Sequence, residues 1–253
     1  MNFLKISVKN SMEYRWSVFF STISSVFSIW IMIMLWKYLY HNDVNMITYM
    51  NRYIVVANII AIFYCRGIAK RIGDRVSNGM FALDLLKPIN IFTMSWLLEL
   101  GEVLASFIIK GLPIIILYFN TMFWKISFHN AFFCMLALII GHIIFVLMYS
   151  ILGFLAIVLF DIWPFQRLLD DTIRFIGGGI IPLTIMPEQL RSIATLLPFQ
   201  YLYSFPLQIM FNKIETQIML KYFFVGFLWL IVLILLNLFV YRSVMKKVVI
   251  QGG

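Results

Sequence analysis

Charged residues are scarce in this sequence. Only 12% of its 253 residues are Asp, Glu, Lys or Arg, whereas 62% are hydrophobic and the mean hydropathy is +0.94. Soluble domains have about 25% charged and about 45–50% apolar residues, so the composition excludes an ordinary water-soluble domain and indicates helices surrounded by lipid. The length allows several membrane spans of about 20 residues but no additional soluble catalytic domain. We therefore expect one transmembrane domain over residues 1–253.

Motifs for catalysis and metal binding are also lacking. The chain has two cysteines and three histidines, and none of them has a second ligand at metal-site spacing. The sequence contains no glycine-rich phosphate-binding loop, no His-Glu-x-x-His motif and no Gly-x-Ser-x-Gly motif. We therefore expect this chain to bind no metal and no nucleotide and to catalyse no reaction itself.

Long apolar runs are abundant. They predict an all-α protein with six transmembrane helices, which we place near residues 17–37, 46–65, 94–119, 131–160, 172–186 and 222–241. The fifth of these is short and interrupted by glycines. Residues 1–16 combine helical periodicity with basic residues, a pattern that is typical of an amphipathic helix at the membrane interface.

The net charge of +9 is spread over short basic clusters between the apolar runs. Such clusters mark the cytoplasmic ends of spans, and they do not follow one helix face as they would in a nucleic-acid-binding protein. Most Lys and Arg residues fall on the side that would hold both termini. The sequence therefore predicts a multi-pass protein of the plasma membrane with both termini cytoplasmic, the lipid bilayer around it and no nucleic-acid partner.

The longest polar segment, residues 66–90, follows the second span and is predicted to be cytoplasmic. Basic side chains outnumber acidic ones there. A loop of this kind can fix the topology, contact anionic lipid or bind a protein partner. Its candidate functional residues are Arg66, Lys70, Arg71, Arg75, Gly79, Asp84, Lys87 and Pro88.

The third span carries charge inside an apolar run, at Glu99, Glu102 and Lys110. Ionisable residues within a span are costly and are functional candidates by default. The two glutamates are three residues apart and share a helix face. They are candidates for a transport path together with Lys110, although interfacial or packing roles remain open for all three.

Prolines dominate the apolar segment before the last span. This segment, residues 182–221, is too apolar for a free loop, and its proline and helical spacing predict a re-entrant hairpin in the outer leaflet. The hairpin includes a short helix between Pro187 and Leu197. Its candidate residues are Pro182, Pro187, Glu188, Pro198, Phe199 and Pro206.

Three stretches resemble one family of membrane proteins. They are SVKNSMEYR at residues 7–15, RVSNGM at 75–80 followed by LLKPIN at 85–90, and the series IPL, MPE, LPFQY and FP between residues 181 and 206. In this order they resemble the permease subunits of type-two ATP-binding-cassette exporters, in the branch whose ATPase is a separate polypeptide. The resemblance covers nearly the whole chain.

The resemblance implies a complex with partners. Two copies of a cytoplasmic ATPase, holding ATP and Mg, would drive a permease dimer made of two identical chains or of this chain and a sister permease. Residues 66–90 would couple ATP hydrolysis to the spans. The expected activity is export of a hydrophobic or amphipathic substrate, such as a peptide, a drug or a lipid-like molecule.

Two other functions remain open at this point. One is a membrane scaffold or immunity factor that binds a partner without transporting anything. The other is a secondary transporter driven by protons through Glu99, Glu102 or His142. Related architectures carry many substrates, so the fold does not fix the substrate.

Overall fold

A computed structural model describes residues 15–64, 66–84, 86, 91–122, 126–159 and 161–247. Within these residues the chain forms helices joined by turns and contains no strand, in agreement with the predicted all-α class. The interfacial helix predicted for residues 1–16 lies almost entirely outside the described part. The helices are α1 Arg15–Leu39, α2 Val44–Ile62, α3 Gly67–Ser77, α4 Phe81–Asp84, α5 Ile91–Ser106, α6 Leu112–Leu117, α7 Phe128–Phe154, α8 Trp163–Ile176, α9 Glu188–Leu196, α10 Ser204–Met210 and α11 Thr216–Lys247.

Five helical stretches of the described chain are long and apolar enough to cross a membrane. They are Phe19–Leu39, Val44–Ser77, Ile91–Leu117, Phe128–Phe154 and Thr216–Lys246. They correspond to predicted spans one to four and six. The predicted count of six is therefore not confirmed.

The fifth predicted span, residues 172–186, is not a continuous helix. Helix α8 begins earlier, at Trp163, and ends at Ile176, and its 14 residues cover only about 21 Å. The chain turns at Gly178, whose φ of +86° favours glycine. Pro182 then precedes a single three-ten turn, Leu183–Ile185. Glycine and proline together stop the helix where the apolar pattern alone predicted a span.

Helix α7 forms the centre of the fold. It packs against α3, α10 and α11, and its second half is almost entirely buried. The helix is continuous through Gly141 and Gly153, and both glycines allow close packing. A Cβ at Gly153 would lie 2.9 Å from the Ala69 carbonyl oxygen of α3.

The helices define two ends of the molecule. At the α3 end, the Phe81 ring contacts Phe154 at the end of α7 and Tyr241 near the end of α11. At the far end, Asn130 and Asn212 lie 3.5 Å apart, near the beginnings of α7 and α11. The beginning of α1 and the end of α11 both lie at the α3 end.

The third predicted span contains a break in its hydrogen-bond pattern. Between α5 and α6, residues Phe107–Gly111 form a π-helical turn that includes Lys110. Such turns widen a helix locally and often occur at functional sites. Lys110, the only basic residue of this predicted span, thus lies on its π-helical turn.

Candidate functional site

Helix α3 is the longer of the two helices described in the polar segment after the second span. Its apolar residues recur three and four apart, and Ile68, Ile72 and Val76 are buried against α7. Lys70 and Asp74 lie on its exposed face. The sequence pattern therefore produces a helix held by the bundle on one side and open to a partner on the other.

Arg71 connects α3 to α5 through two carboxylates. Its Nη2 lies 2.5 Å from Glu99 Oε2, and its Nη1 lies 2.6 Å from Glu102 Oε1. The Glu99 side chain is fully buried, whereas those of Arg71 and Glu102 are 22% and 33% exposed. A buried carboxylate needs a paired cation, so this Arg71–Glu99–Glu102 cluster fixes the position of α3 against α5. The third and fourth turns of α5 thus direct their acidic side chains at α3.

A second ion pair closes the turn after α3. Arg75 Nε lies 2.6 Å from Oδ2 of the buried Asp84, and Arg75 Nη2 donates to Asp84 Oδ1 at 2.9 Å. Between them Gly79 adopts a φ of +70°, which side chains disfavour. Lys87 and Pro88, the remaining predicted residues of this segment, lie outside the described residues.

Arg66 and Asp170 form a third link, between the start of α3 and α8. Arg66 Nε lies 3.1 Å from Asp170 Oδ2, and the Tyr149 hydroxyl of α7 donates to Asp170 Oδ1. Burial raises the pKa of Asp170 to about 6, against the lowering effect of Arg66. A carboxyl in this condition is ionised at neutral pH and becomes protonated in mild acid.

Asp170 makes stability depend on pH in a defined direction. Because the pKa of Asp170 is raised in the folded chain, folding favours the protonated carboxyl. Its contribution to the free energy of unfolding is complete below about pH 3.8 and is lost as the pH rises through about 6, by up to about 3 kcal/mol. We expect unfolding by SDS titration between pH 4 and 7.5 to reveal this slope. Asp170→Asn removes it, whereas replacement of the exposed Glu215 by Gln leaves it intact. An unchanged slope in Asp170→Asn would contradict the assignment.

The three predicted transport-path residues separate into two places. Glu99 and Glu102 face α3 and pair with Arg71. Lys110 lies further along, on the π-helical turn, and faces a cleft lined by α1, α2 and α8. A shared role of the three residues in a transport path stays a prediction.

The predicted hairpin residues belong to a compact segment between α8 and α11. Helix α9 begins directly after Pro187, as expected, with Glu188 exposed in its first turn. Pro198 and Phe199 form the following three-ten turn, and Pro206 lies in α10. Pro182 precedes the three-ten turn noted above. Residues 201–207 are all buried, so this segment is part of the protein core.

Tyrosine hydroxyls join this segment to the rest of the bundle. Tyr53 donates to the Gly178 carbonyl at 2.5 Å, and Tyr64 donates to the Leu202 carbonyl at 2.6 Å. Tyr201 donates to the Tyr222 carbonyl at 3.0 Å. The bonds from Tyr53 and Tyr64 satisfy carbonyl oxygens of irregular backbone, and the bond from Tyr201 joins the segment to α11.

Comparison with known proteins identifies the family. The family model described as ABC-2 family transporter protein matches residues 41–252. The chain belongs to the ABC-2 transporter family. No individual curated protein matches the chain.

Membership of this family indicates the environment of the described helices. An ABC-2 chain is a membrane component of a transporter, and the five apolar stretches are consistent with a multi-pass membrane protein. Among the described residues of this ABC-2 permease, no group of three or more His, Cys, Asp or Glu side chains is arranged to hold a metal ion.

Sequence reasoning missed the partners in this ABC-2 permease. It singled out Arg71 and the two glutamates separately, and it did not single out Asp170, Tyr149 or Arg174. The only available signal for the first cluster was charge of opposite sign on two neighbouring elements.

His142 lies between the Trp96 indole, at 3.4 Å, and the Phe63 carbonyl, at 3.1 Å.

Proposed function

We propose that this chain is the permease subunit of an ATP-binding-cassette export complex in the plasma membrane. A partner ATPase, present in two copies, would bind ATP and Mg and hydrolyse the ATP on the cytoplasmic side, where both chain termini are predicted to lie. The complex would export a hydrophobic or amphipathic substrate. The observation that carries the proposal is α3, which is clamped to the span bundle on one face and open on the other.

The ion pairs of α3 suit it to transmit force. On the proposed function, an ATPase contacts the exposed face around Lys70 and Asp74. Displacement of α3 then moves α5 through the Arg71 cluster and α8 through Arg66 and Asp170. Buried ion pairs are costly to separate, so the three helices would move together.

The direction of the helices supports a sixth, broken crossing. Helix α7 ends at the α3 end, whereas α11 begins at the far end, so the chain between them must return to the far end. Asp170 lies at the α3 end beside Arg66, and Met210 lies at the far end in a pocket with Asn45 and Asn130. In the membrane, the chain from about residue 172 to residue 210 would make this crossing, with its backbone buried in protein as required.

A second permease, either an identical copy or a sister chain, has a suitable surface on α1. Apolar and aromatic side chains on this helix are largely exposed, including Phe20, Phe27 and Trp30. In a membrane such a face meets lipid or another helix. On the proposed function, part of it meets the second permease.

Purification from the native membrane tests the proposal. We expect a tagged chain to carry with it an ATPase whose activity is lost when the permease is deleted, and inside-out vesicles to accumulate substrate only with ATP. Vesicles lacking the permease are the control. Substrate flux that survives ATP depletion and collapses with the proton gradient would instead indicate a secondary transporter, and absence of an ATPase and of any flux would indicate a scaffold.

A further inference from the structure

A polar cleft lies among the spans near the α3 end. Its volume is about 470 Å³, and α1, α2, the π-helical turn and α8 contribute to its walls. Hydroxyl and amide groups line much of it. They belong to Ser21, Ser24, Ser25, Asn58 and Ser106. The Ser25 hydroxyl and the Asn58 amide also donate to carbonyl oxygens of their own helices, those of Ser21 and Ile54. The clustering of these polar groups within segments that are otherwise apolar indicates a space suited to a polar ligand.

The charges around the cleft are of one sign. Arg66, Lys110 and Arg174 line it, and none of the described residues that line it is acidic. Arg66 is paired with Asp170, which lies behind it. The described side chains that line the cleft are therefore basic or neutral, in surroundings where charge is weakly screened.

The local backbone supports this arrangement. Lys110 lies on the π-helical turn Phe107–Gly111, an irregularity that widens the helix beside the cleft. On α1, Ser21 and Ser25 are four residues apart and share the face that lines it. The polar groups thus come from separate elements and converge on one space.

A second cationic pocket lies at the far end of α2. It has a volume of about 420 Å³ and is lined by Arg52, Lys213 and several amide and hydroxyl side chains, with no acidic residue among the described lining residues. Lys213 Nζ lies 5.2 Å from the centre of the Tyr49 ring. Helix α2 therefore borders a pocket with basic lining residues near each of its two ends.

We propose that the cleft binds the phosphate group of an anionic amphiphile. Guanidinium and ammonium groups together with hydroxyl donors are the usual partners of phosphate oxygens. The amphiphile belongs to the substrate class of the proposed export function, on which this inference rests. An anionic lipid of the bilayer and a transported phosphate-bearing amphiphile share this chemistry.

Binding to the isolated full-length chain tests the cleft without requiring transport. The chain is placed in phosphatidylcholine nanodiscs, and dodecyl phosphate, dodecyltrimethylammonium and inorganic phosphate are titrated below micelle-forming concentrations. We expect dodecyl phosphate to bind at least tenfold more tightly than the other two probes. Lys110→Gln and Arg174→Gln each weaken it about tenfold, whereas Arg191→Gln, exposed on α9 at a distance from the cleft, leaves it unchanged.

A charge-inverted variant distinguishes loss of the binding site from loss of the fold. The variant Lys110→Glu with Arg174→Glu is expected to prefer dodecyltrimethylammonium, a gain that an unfolded chain does not give. Equal binding of both amphiphiles to the unmodified chain, or full dodecyl phosphate binding by the inverted variant, would overturn the inference. Inorganic phosphate binding as tightly as dodecyl phosphate would show that a free anion, not an amphiphile, is the ligand.

Two further measurements are needed. One distinguishes bilayer lipid from transported substrate as the source of the phosphate, and the other distinguishes failure of the phosphate site from failure of the export function. If the phosphate comes from bilayer lipid, nanodiscs containing phosphatidylglycerol compete with dodecyl phosphate; if it comes from the substrate, they do not, and either result agrees with a phosphate site. Binding without any ATP-dependent flux leaves the cleft intact and overturns the export function. ATP-dependent flux without dodecyl phosphate binding overturns the phosphate site and leaves the export function intact.

Discussion

Replacement of Arg71 by Gln is expected to cause a severe loss of both stability and ATP-driven transport. The fully buried Glu99 carboxylate would lose the guanidinium that lies 2.5 Å away. Removing one partner of a buried pair costs about 3–5 kcal/mol, and the partial exposure of Arg71 and Glu102 places the expected value near about 3 kcal/mol. SDS unfolding of the purified chain measures this cost, and ATP-dependent flux in vesicles measures the loss of coupling.

The double variant Arg71→Gln with Glu99→Gln separates stability from coupling. With both buried charges removed, two neutral side chains remain, and we expect most of the lost stability to return. Transport should remain uncoupled from ATP hydrolysis, since α3 is no longer tied to α5. Lys70→Gln, one residue away on the exposed face, is the matched control for folding. Normal coupled transport by a well-folded double variant would remove the cluster from the mechanism.

Substitution of Gly141 by Ala is expected to disrupt the contact between α7 and the segment before the last span. The added Cβ would overlap the Tyr201 carbonyl oxygen and would lie 3.1 Å from the Tyr64 hydroxyl. The backbone carbonyl cannot rotate away as a side chain can, so α7 must shift, and overpacking of this kind costs about 1–3 kcal/mol or more. We expect a lower unfolding midpoint in SDS and faster proteolysis between α9 and α11.

Gly111→Ala is the matched control for this substitution. The three atoms nearest to its Cβ would all belong to the Phe107 side chain, the closest at 3.0 Å, and this side chain can adjust. We expect a change below about 1 kcal/mol, since alanine also favours the helical backbone. If Gly141→Ala were as stable as Gly111→Ala, the close packing of α7 on Tyr201 would not be needed by the fold.

The sequence was sufficient for the parts of the fold that depend on hydrophobic length. Predicted spans one to four and span six follow from apolar runs. The helix after Pro187 follows from the proline and from apolar residues that recur every three to four positions. Helix α3 was not predicted, since residues 66–90 were interpreted as a loop, but a local signal for it is present: Ile68, Ile72 and Val76 recur at helical spacing among polar side chains. These are local patterns, in which the residues that decide the outcome are close together in the chain.

The parts that could not be predicted depend on distant pairs. Arg71 meets Glu99 across 28 residues, and Arg66 meets Asp170 across 104 residues, and no local pattern identifies either partner. The fifth predicted span is not a continuous helix for a related reason. Apolar residues over 172–186 suggest a helix, but buried turns at Gly178 and Pro182 are stabilised by Tyr53 and other groups from elsewhere in the chain. Tertiary contacts satisfy a backbone that sequence alone would assign to a helix.

The coupling role of α3 is tested most directly by photocrosslinking in the native membrane. A photoreactive amino acid replaces Lys70 on the exposed face of α3, and a second variant carries it at Arg191 on α9 as the control. We predict that Lys70 captures a protein with a glycine-rich phosphate-binding loop, with a yield that changes when ATP is added, and that Arg191 does not. Capture of no such ATPase at Lys70, or equal capture at both positions, would contradict the proposal that α3 couples this permease to ATP hydrolysis.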